Sequence, residues 1–253
     1  MAFTPPLHLS PSSMGTFEQC PLKFKYSKID MLKDDPTEAT LMGNFVHDVL
    51  ETLYHCDNTV RTQDEAKLIA AQLWENGWSD RVKPWVRGDE ALRMFRWKSW
   101  WCIQNLWKIE EPTLVAPIGL EHELNGEIGG VKIKGFIDRF DKNETGFTIS
   151  DYKTGKTPKK NWISDKFFQL LIYSHLLEST GVGKATTVEL LYLKDGVQFS
   201  QAVTEEDLFK VETTVTETKK KIDIKCETGE FEPNKSILCN WCSFKTICPA
   251  WRS

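Results

Sequence analysis

The feature that most constrains the fold is a pair of strand-like segments separated by a turn-forming stretch. Residues 131–140 and 147–153 are rich in β-branched and aromatic side chains, whereas residues 141–146 carry Asp, Asn, Thr and Gly. Alternating apolar segments joined by turn residues are typical of antiparallel hairpins. The sequence therefore predicts a hairpin near the middle of the chain and a sheet built around it.

Two acidic residues and a lysine lie on these strands. A turn centred between Glu144 and Thr145 predicts that Asp138 faces Asp151, with Cβ atoms about 5 Å apart. Lys153 emerges two residues further on, on the same face. Carboxylates at this spacing can hold Mg²⁺ or Mn²⁺, and the lysine can neutralise charge developing on a phosphate. An exposed strand face with a surface ion pair is the alternative, but the apolar neighbours of both acids favour a lined cavity.

The remaining segments predict an α/β fold of the mixed α+β kind, with a sheet flanked by helices. We expect one domain over residues 1–253. Its parts are a helical insertion at 55–112, a catalytic sheet core at 113–204 and a cysteine-rich end at 227–253. No apolar run approaches the roughly 18 residues that a membrane span requires, and no signal peptide is evident. The cytoplasm, or a host cytoplasm for a viral protein, is therefore expected.

Three ordered motifs resemble those of the RecB-like branch of the PD-(D/E)XK nuclease superfamily, which includes the nuclease domains of RecB and AddB and related CRISPR-associated nucleases. They are Gly-x-Ile-Asp-Arg at 135–139, Asp-Tyr-Lys-Thr-Gly at 151–155 and Gln-x-x-x-Tyr at 169–173. The resemblance implies a restriction-endonuclease-like core with a central mixed sheet. It also implies a catalytic set: Asp138, Asp151, Lys153, Gln169 and Tyr173.

The resemblance further implies a metal centre. A glycine-then-histidine motif at residues 43–47 makes His47 a ligand beside Asp138 and Asp151, with the Tyr152 backbone carbonyl as another. Taken alone, His47 is more typical of a hydrogen-bonded core histidine; together with the acidic hairpin, the metal role is favoured. Glu121 lies in the strand before the hairpin, where some relatives carry a further acid. A surface carboxylate is the alternative for that residue.

Four of the seven cysteines form a second pattern. Cys239, Cys242 and Cys248 give C-x₂-C-x₅-C, and Cys20 is the natural fourth ligand. Spacing alone allows zinc or an iron–sulfur cluster. The resemblance to AddB-type nucleases implies a [4Fe–4S] cluster that ties Cys20 to residues 227–253. The other three, Cys56, Cys102 and Cys226, lack ligand spacing and are typical of buried apolar cysteines.

Candidate DNA contacts are scattered through an acidic chain. The net charge is −4, so a large DNA-coating surface is not expected, although local basic segments are. The candidate residues are Arg93, Arg96, Trp97, Arg139, Lys156, Lys159 and Lys160. The lysines are also typical of a solvated loop, and the aromatic residues around Trp97 of a helical core.

The combined expectation is a Mg²⁺- or Mn²⁺-dependent deoxyribonuclease. By resemblance, it is an exonuclease that prefers single-stranded or free-ended DNA in recombination, repair or phage DNA processing. No P-loop precedes Lys153, so a helicase or recombination protein would have to be a partner. Two alternatives remain: a non-catalytic DNA-binding adaptor on the same fold, and a nuclease stapled by zinc. No membrane partner is expected.

Overall fold

The computed structural model describes residues 2–251, in which helices surround a single sheet. Short 3₁₀ and π turns join eight α-helices in this part of the chain. The helices are α1 (Pro11–Gln19), α2 (Pro21–Phe24), α3 (Glu38–His55), α4 (Gln63–Leu73), α5 (Ser79–Val82), α6 (Asp89–Gln104), α7 (Phe168–Ser179) and α8 (Glu205–Thr228). Over residues 2–251, no helix combines the length and apolar character that a membrane crossing needs.

The sheet has five strands in the order β1-β2-β3-β4-β5. The strands are β1 (Pro117–Ile128), β2 (Val131–Lys142), β3 (Phe147–Lys153), β4 (Ala185–Tyr192) and β5 (Val197–Ala202). Only β3 and β4 are parallel, because α7 lies in the crossover between them; the other neighbours are antiparallel. The mixed α/β fold expected from the sequence is confirmed.

Two hairpin turns set the register of the first three strands. Gly129 and Gly130 have φ of +56° and +76°, a two-residue turn that favours glycine at both positions. In the next hairpin Phe140 pairs with Ile149 and Arg139 with Ser150, so the turn is centred where the sequence predicts. The ladder ends at Arg139 and Ser150, which leaves the positions of Asp138 and Asp151 just beyond the last paired residues.

Separate hydrophobic cores cover the sheet. Side chains of α1, α7 and α8, such as Phe17, Leu176 and Val215, pack together with Ile149 of β3. Side chains of α3, α4 and α6, such as Val49, Ile69 and Phe95, pack together with Tyr152 and Leu191. Ile149 and Tyr152 are three positions apart on β3, an odd spacing, and therefore serve different cores, as strand alternation requires.

One expectation from the sequence is wrong. Arg139, a candidate DNA contact, is only 2% exposed. Its guanidinium lies 2.6 and 2.8 Å from the Glu110 carboxylate oxygens and 3.0 Å from Asp141, and it donates to the Tyr152 hydroxyl. A buried guanidinium whose donors are occupied in this way cannot reach a phosphate. Arg139 is a structural residue because strand alternation turns it away from Asp138.

Candidate active site and metal centre

Three potential metal ligands from three elements converge at one end of the sheet. His47 comes from α3, Glu121 from β1 and Asp138 from β2, and one ligand atom of each lies within 4.8 Å of the other two. His47 Nδ1 is 3.5 Å from Asp138 Oδ2 and 3.9 Å from Glu121 Oε1. An imidazole nitrogen and two carboxylates are compatible with a divalent cation.

The orientation of the His47 ring is fixed by a backbone carbonyl. His47 Nε2 lies 2.9 Å from the Tyr152 oxygen, which can only accept a hydrogen bond, so Nε2 must carry the proton. In the neutral ring the lone pair is then on Nδ1, facing the two carboxylates. A histidine whose other nitrogen donates to a carbonyl is the usual arrangement of a metal ligand. The Tyr152 carbonyl, itself expected to be a ligand, is thus in contact with His47.

Glu121 has an unusual backbone conformation. Its φ is +42°, in the left-handed region that non-glycine residues seldom adopt, within an otherwise extended strand. Such conformations cost of order 1–3 kcal/mol and cluster at functional sites. Leu120 and His122 pair with Arg139 and Ile137, so Glu121 lies beside Asp138. The sequence contained the signal for this position, because the Gly129–Gly130 turn alone aligns residue 121 with residue 138.

Asp138 lies where the pairing between β2 and β3 stops. Its Oδ2 accepts the Tyr152 amide at 2.8 Å, where the β2–β3 ladder has just stopped. Burial and the nearby Asp151 carboxylate raise the pKa of Asp138 to about 7, although His47 and the Tyr152 amide oppose the shift. Burial disfavours the imidazolium of His47, but Asp138 and Glu121 outweigh it and raise the pKa of His47 to about 9. A cation that binds here must therefore displace protons.

We predict that binding of Mn²⁺ or Mg²⁺ tightens as the pH rises. Between about pH 7 and about pH 9 His47 must lose one proton on binding, and below about pH 7 Asp138 must lose a second. Each released proton makes the affinity about 10-fold stronger per pH unit. Isothermal titration with Mn²⁺ at several pH values measures this slope. A His47→Gln variant should bind the cation more weakly because one ligand is lost, whereas an unchanged affinity in wild type from pH 7 to 9 would contradict the assignment.

Asp151 and Lys153 form an adjoining pair on β3. Lys153 Nζ lies 2.5 Å from Asp151 Oδ2, and Asp151 is almost fully buried. Burial alone would lower the pKa of Lys153, but the Asp151 carboxylate raises it, so the side chain stays charged. Asp151 does not belong to the group of His47, Glu121 and Asp138, but its charge acts on both His47 and Asp138.

Gln169 and Tyr173 of α7 support Asp151 from the adjacent core. The Gln169 amide lies 3.3 Å from Asp151 Oδ1 and 3.2 Å from the Tyr173 hydroxyl, so its two hydrogens serve different acceptors. Burial raises the pKa of Tyr173 to about 12, although the Gln169 amide acts in the opposite direction. Gly135 makes this arrangement possible, because a Cβ there would lie 2.3 Å from the Tyr173 ring.

The expected DNA-contact residues other than Arg139 lie on exposed surface. Lys156, Lys159 and Lys160 follow Lys153 in the segment between β3 and α7, and Thr157 anchors this segment to Asp195. No ion pair involves these three lysines within residues 2–251. Free cations next to the candidate active site are suited to a polyanion.

Some aromatic side chains of the tryptophan-rich helix α6 are buried in the core, and others are exposed on the surface. Phe95 is buried, whereas Trp97 and Trp101 are 57% and 41% exposed and stack with ring centroids 5.8 Å apart. Arg93 and Arg96 line a cavity of about 370 Å³ beside Trp97. The Trp101 indole donates to the carbonyl of Lys194, in the turn that also holds Asp195. The exposed aromatic pair therefore lies against the same turn that anchors the basic segment.

The four cysteines with ligand spacing line one cavity between the N-terminal helices and the C-terminal segment. Backbone amides of Asn234 and Ser236 donate to the sulfurs of Cys20 and Cys239, both at 3.4 Å. The Ser236 amide lowers the pKa of the Cys239 thiol. Within residues 2–251, no three cysteine sulfurs lie within 4.8 Å of one another. Cys102 and Cys226 are buried and Cys56 is half-buried.

Fold and site together define a class: α/β proteins with acidic residues and a histidine grouped at a sheet end, next to a lysine. The family profile of the PD-(D/E)XK nuclease superfamily matches residues 8–249, and the chain belongs to this superfamily. Nucleases of this superfamily use divalent metals, and the group of His47, Glu121 and Asp138 is compatible with one.

The chain is also similar to two phage proteins and to a solved structure. The chain is 22% identical to the Gene 69 protein of Mycobacterium phage L5, over 96% of each chain. It is also 22% identical to the Gene 69 protein of Mycobacterium phage D29, over 96% of this chain and 97% of the phage protein. A crystal structure of a candidate exonuclease from Eubacterium rectale has a similar fold, with a TM-score of 0.60 and 15% identity. The alignment covers 98% of this chain and 89% of that chain.

Proposed function

We propose that the protein is a DNA exonuclease of the RecB-like branch that depends on Mg²⁺ or Mn²⁺. The observation that carries the proposal is the convergence of His47, Glu121 and Asp138 beside the Asp151–Lys153 pair. A member of a nuclease superfamily that retains these side chains has the groups that phosphodiester hydrolysis needs.

Each side chain of the site has a role that its surroundings support. His47, Glu121, Asp138 and Asp151 would hold the cation, with the Tyr152 carbonyl close by. A cation there supplies Lewis-acid polarisation of the phosphodiester and a more acidic water. Lys153 would neutralise charge developing on the phosphate, for which its charged state is suited.

Gln169 and Tyr173 are positioning residues in this proposal. Gln169 contacts both Asp151 and Tyr173, and Tyr173 lies in the core on the α7 side of the sheet. By fixing the Asp151 carboxylate, they keep one oxygen directed at Lys153. Preorganisation of this kind is how residues outside the reacting centre contribute to rate.

A single strand with a free end is the substrate that the surface favours. Lys156, Lys159 and Lys160 offer free cations beside the site, and the Trp97–Trp101 stack offers faces on which unpaired bases can lie. The basic segment and the tryptophan stack contact the same turn, since Thr157 bonds to Asp195 and Trp101 bonds to the Lys194 carbonyl. The fold shared with a candidate exonuclease agrees with this proposal.

The test compares linear and closed circular single-stranded DNA, each labelled and incubated with Mg²⁺ or Mn²⁺. An exonuclease degrades the linear strand and leaves the circle intact, and linear duplex DNA should be degraded more slowly. Loss of the circle at the same rate would show an endonuclease. A protein that binds both substrates but cuts neither would instead be a DNA-binding adaptor.

We also propose that Cys20, Cys239, Cys242 and Cys248 hold a [4Fe–4S] cluster. All four line one cavity, and two of the sulfurs accept backbone amides, a contact typical of metal-bound thiolates. The order of the cysteines and their distance from the catalytic core resemble those of AddB-type nucleases, which favours the cluster over tetrahedral zinc. Its role would be to tie the two ends of the chain together.

We predict that protein purified without oxygen contains iron and acid-labile sulfide in nearly equal amounts. A Cys242→Ser variant should lose both, because one of four ligands is removed. The half-buried Cys56 lies outside the cluster, so Cys56→Ser is the matched control and should retain both. Analysis of iron, sulfide and zinc in the same preparation distinguishes the two sites, since zinc without iron would show a structural zinc site in place of the cluster.

The cellular setting follows from the same proposal. The relatives are phage proteins, which favours the cytoplasm of a bacterial host and a role in phage DNA processing, recombination or repair. A helicase or recombination partner would supply single-stranded ends.

A further inference from the structure

One edge of β2 is left open next to the candidate active site. Leu9 pairs with this edge at its start, through hydrogen bonds of 2.9 Å to Lys132 and 2.8 Å from Lys134. Strand β3 pairs with it only from Arg139 onward. Between these contacts, in the described part of the chain, no strand adjoins residues 135–138 on this edge, whereas β1 pairs with the opposite edge. A cavity of about 450 Å³ lies at this opening.

The walls of this cavity are basic, polar and aromatic. They include His8, Ser12, Lys28, Lys134, Phe136 and Tyr173, with no aspartate or glutamate among the lining residues. Phe136 is 44% exposed, which is high for an aromatic residue on an inner strand. Lys134 lies 5.5 Å from the Phe136 ring centroid and pairs with Glu123. Lys28, in contrast, forms no ion pair within residues 2–251.

Two residues that line this cavity also hold the Asp151 side chain in place. Gln169 and Tyr173 line it, and the Gln169 amide contacts Asp151 at 3.3 Å. The cavity and Asp151 are therefore separated by the side chain of Gln169 alone, so a nucleotide next to a phosphodiester at Asp151 would be within reach of the cavity. The cavity volume is within the range of about 300–1,000 Å³ that small-molecule sites occupy.

We propose that this cavity, named the Phe136 cavity, seats the nucleotide adjacent to the scissile phosphodiester. The base lies against Phe136, and Lys28 neutralises a phosphate of the same strand. This inference rests on the proposed nuclease function for the identity of the substrate. It explains why Phe136 is exposed between the buried Gly135 and Ile137 positions of its strand.

The first test measures binding of a labelled single-stranded oligonucleotide by fluorescence anisotropy in EDTA, where cleavage cannot occur. Phe136→Ala is expected to weaken binding about 10-fold, as expected for the loss of one base stack. Lys28→Ala should weaken binding. It should also make the slope of log affinity against log salt concentration shallower, by the equivalent of about one phosphate contact. Phe209→Ala and Lys220→Ala are matched controls, because both residues are exposed on α8 and should leave binding unchanged.

The second test measures cleavage of the same oligonucleotide with Mg²⁺ or Mn²⁺. In Phe136→Ala, KM should rise about 10-fold while kcat stays near that of wild type, because ground-state binding is lost. Variants that bind and cleave like wild type would overturn the Phe136 cavity, as would a wild type that does not bind. If the variants weaken binding but wild type never cleaves, the nucleotide site stands and the nuclease proposal fails.

Discussion

Replacement of Asp151 with asparagine is expected to lower the rate of DNA cleavage by about 10²–10³-fold or more. The amide keeps the size of the side chain and can still accept from Gln169, so the fold should persist. It removes the charge that pairs with Lys153 and acts on Asp138 and His47. Single-turnover cleavage of end-labelled DNA, with binding measured in EDTA, separates the loss of chemistry from a loss of affinity.

Two further variants sharpen this experiment. Asp165→Asn is the matched control, because Asp165 is an exposed acid in the segment before α7 and should cleave DNA like wild type. Lys153→Met alone, and combined with Asp151→Asn, tests whether the pair acts as a unit. Residues that act together give a double variant hardly worse than either single one. If Asp151→Asn retained more than about a tenth of the wild-type rate, the assigned active site would be wrong.

Replacement of Glu110 with glutamine is expected to lower the free energy of unfolding by about 3 kcal/mol, the lower end for breaking a buried ion pair. Arg139 is almost fully buried, and Glu110 is its two-point partner at 2.6 and 2.8 Å. Asp141 remains at 3.0 Å, which limits the loss. Urea unfolding followed by circular dichroism measures the change.

The adjacent residue provides the control. Glu111 is exposed and its side chain bonds only to Thr113 within the described chain, so Glu111→Gln should change stability by less than about 0.5 kcal/mol. Glu110→Gln should also weaken the active site, because Arg139 donates to Tyr152, whose backbone contacts Asp138 and His47. A free energy of unfolding within about 1 kcal/mol of wild type would show that the guanidinium finds other partners or water.

The hairpin that carries Asp138, Asp151 and Lys153 was predictable because its information is local. Strand alternation and turn residues fix which side chains share a face, so the register of β2 and β3 follows from a turn centred at Glu144 and Thr145. The same reasoning, applied to Gly129 and Gly130, would have placed Glu121 next to Asp138. Alternation would also have turned Arg139 away from the acids.

Other parts of the site required the tertiary structure. His47 reaches the Tyr152 carbonyl across 105 positions of sequence, and no periodicity encodes such a contact. The sequence does not reveal that the β2–β3 ladder stops at Arg139, so the side chain of Asp138 accepts the Tyr152 amide in place of a strand pair. The cavity beside Phe136 exists only because Leu9 and Tyr173, both distant in sequence, pack against β2 around it.

The sequence by itself determined the superfamily, the mixed α/β fold, and the strands that carry Asp138, Asp151 and Lys153. These depend on local alternation, turn chemistry and motif order, which a chain carries in any conformation. Only the tertiary structure decided the burial of Arg139, the group of His47 with Glu121 and Asp138, and the cavity beside Phe136. Burial and the pKa values of His47 and Asp138 depend on which distant segments pack together, so they appear only when the fold is complete.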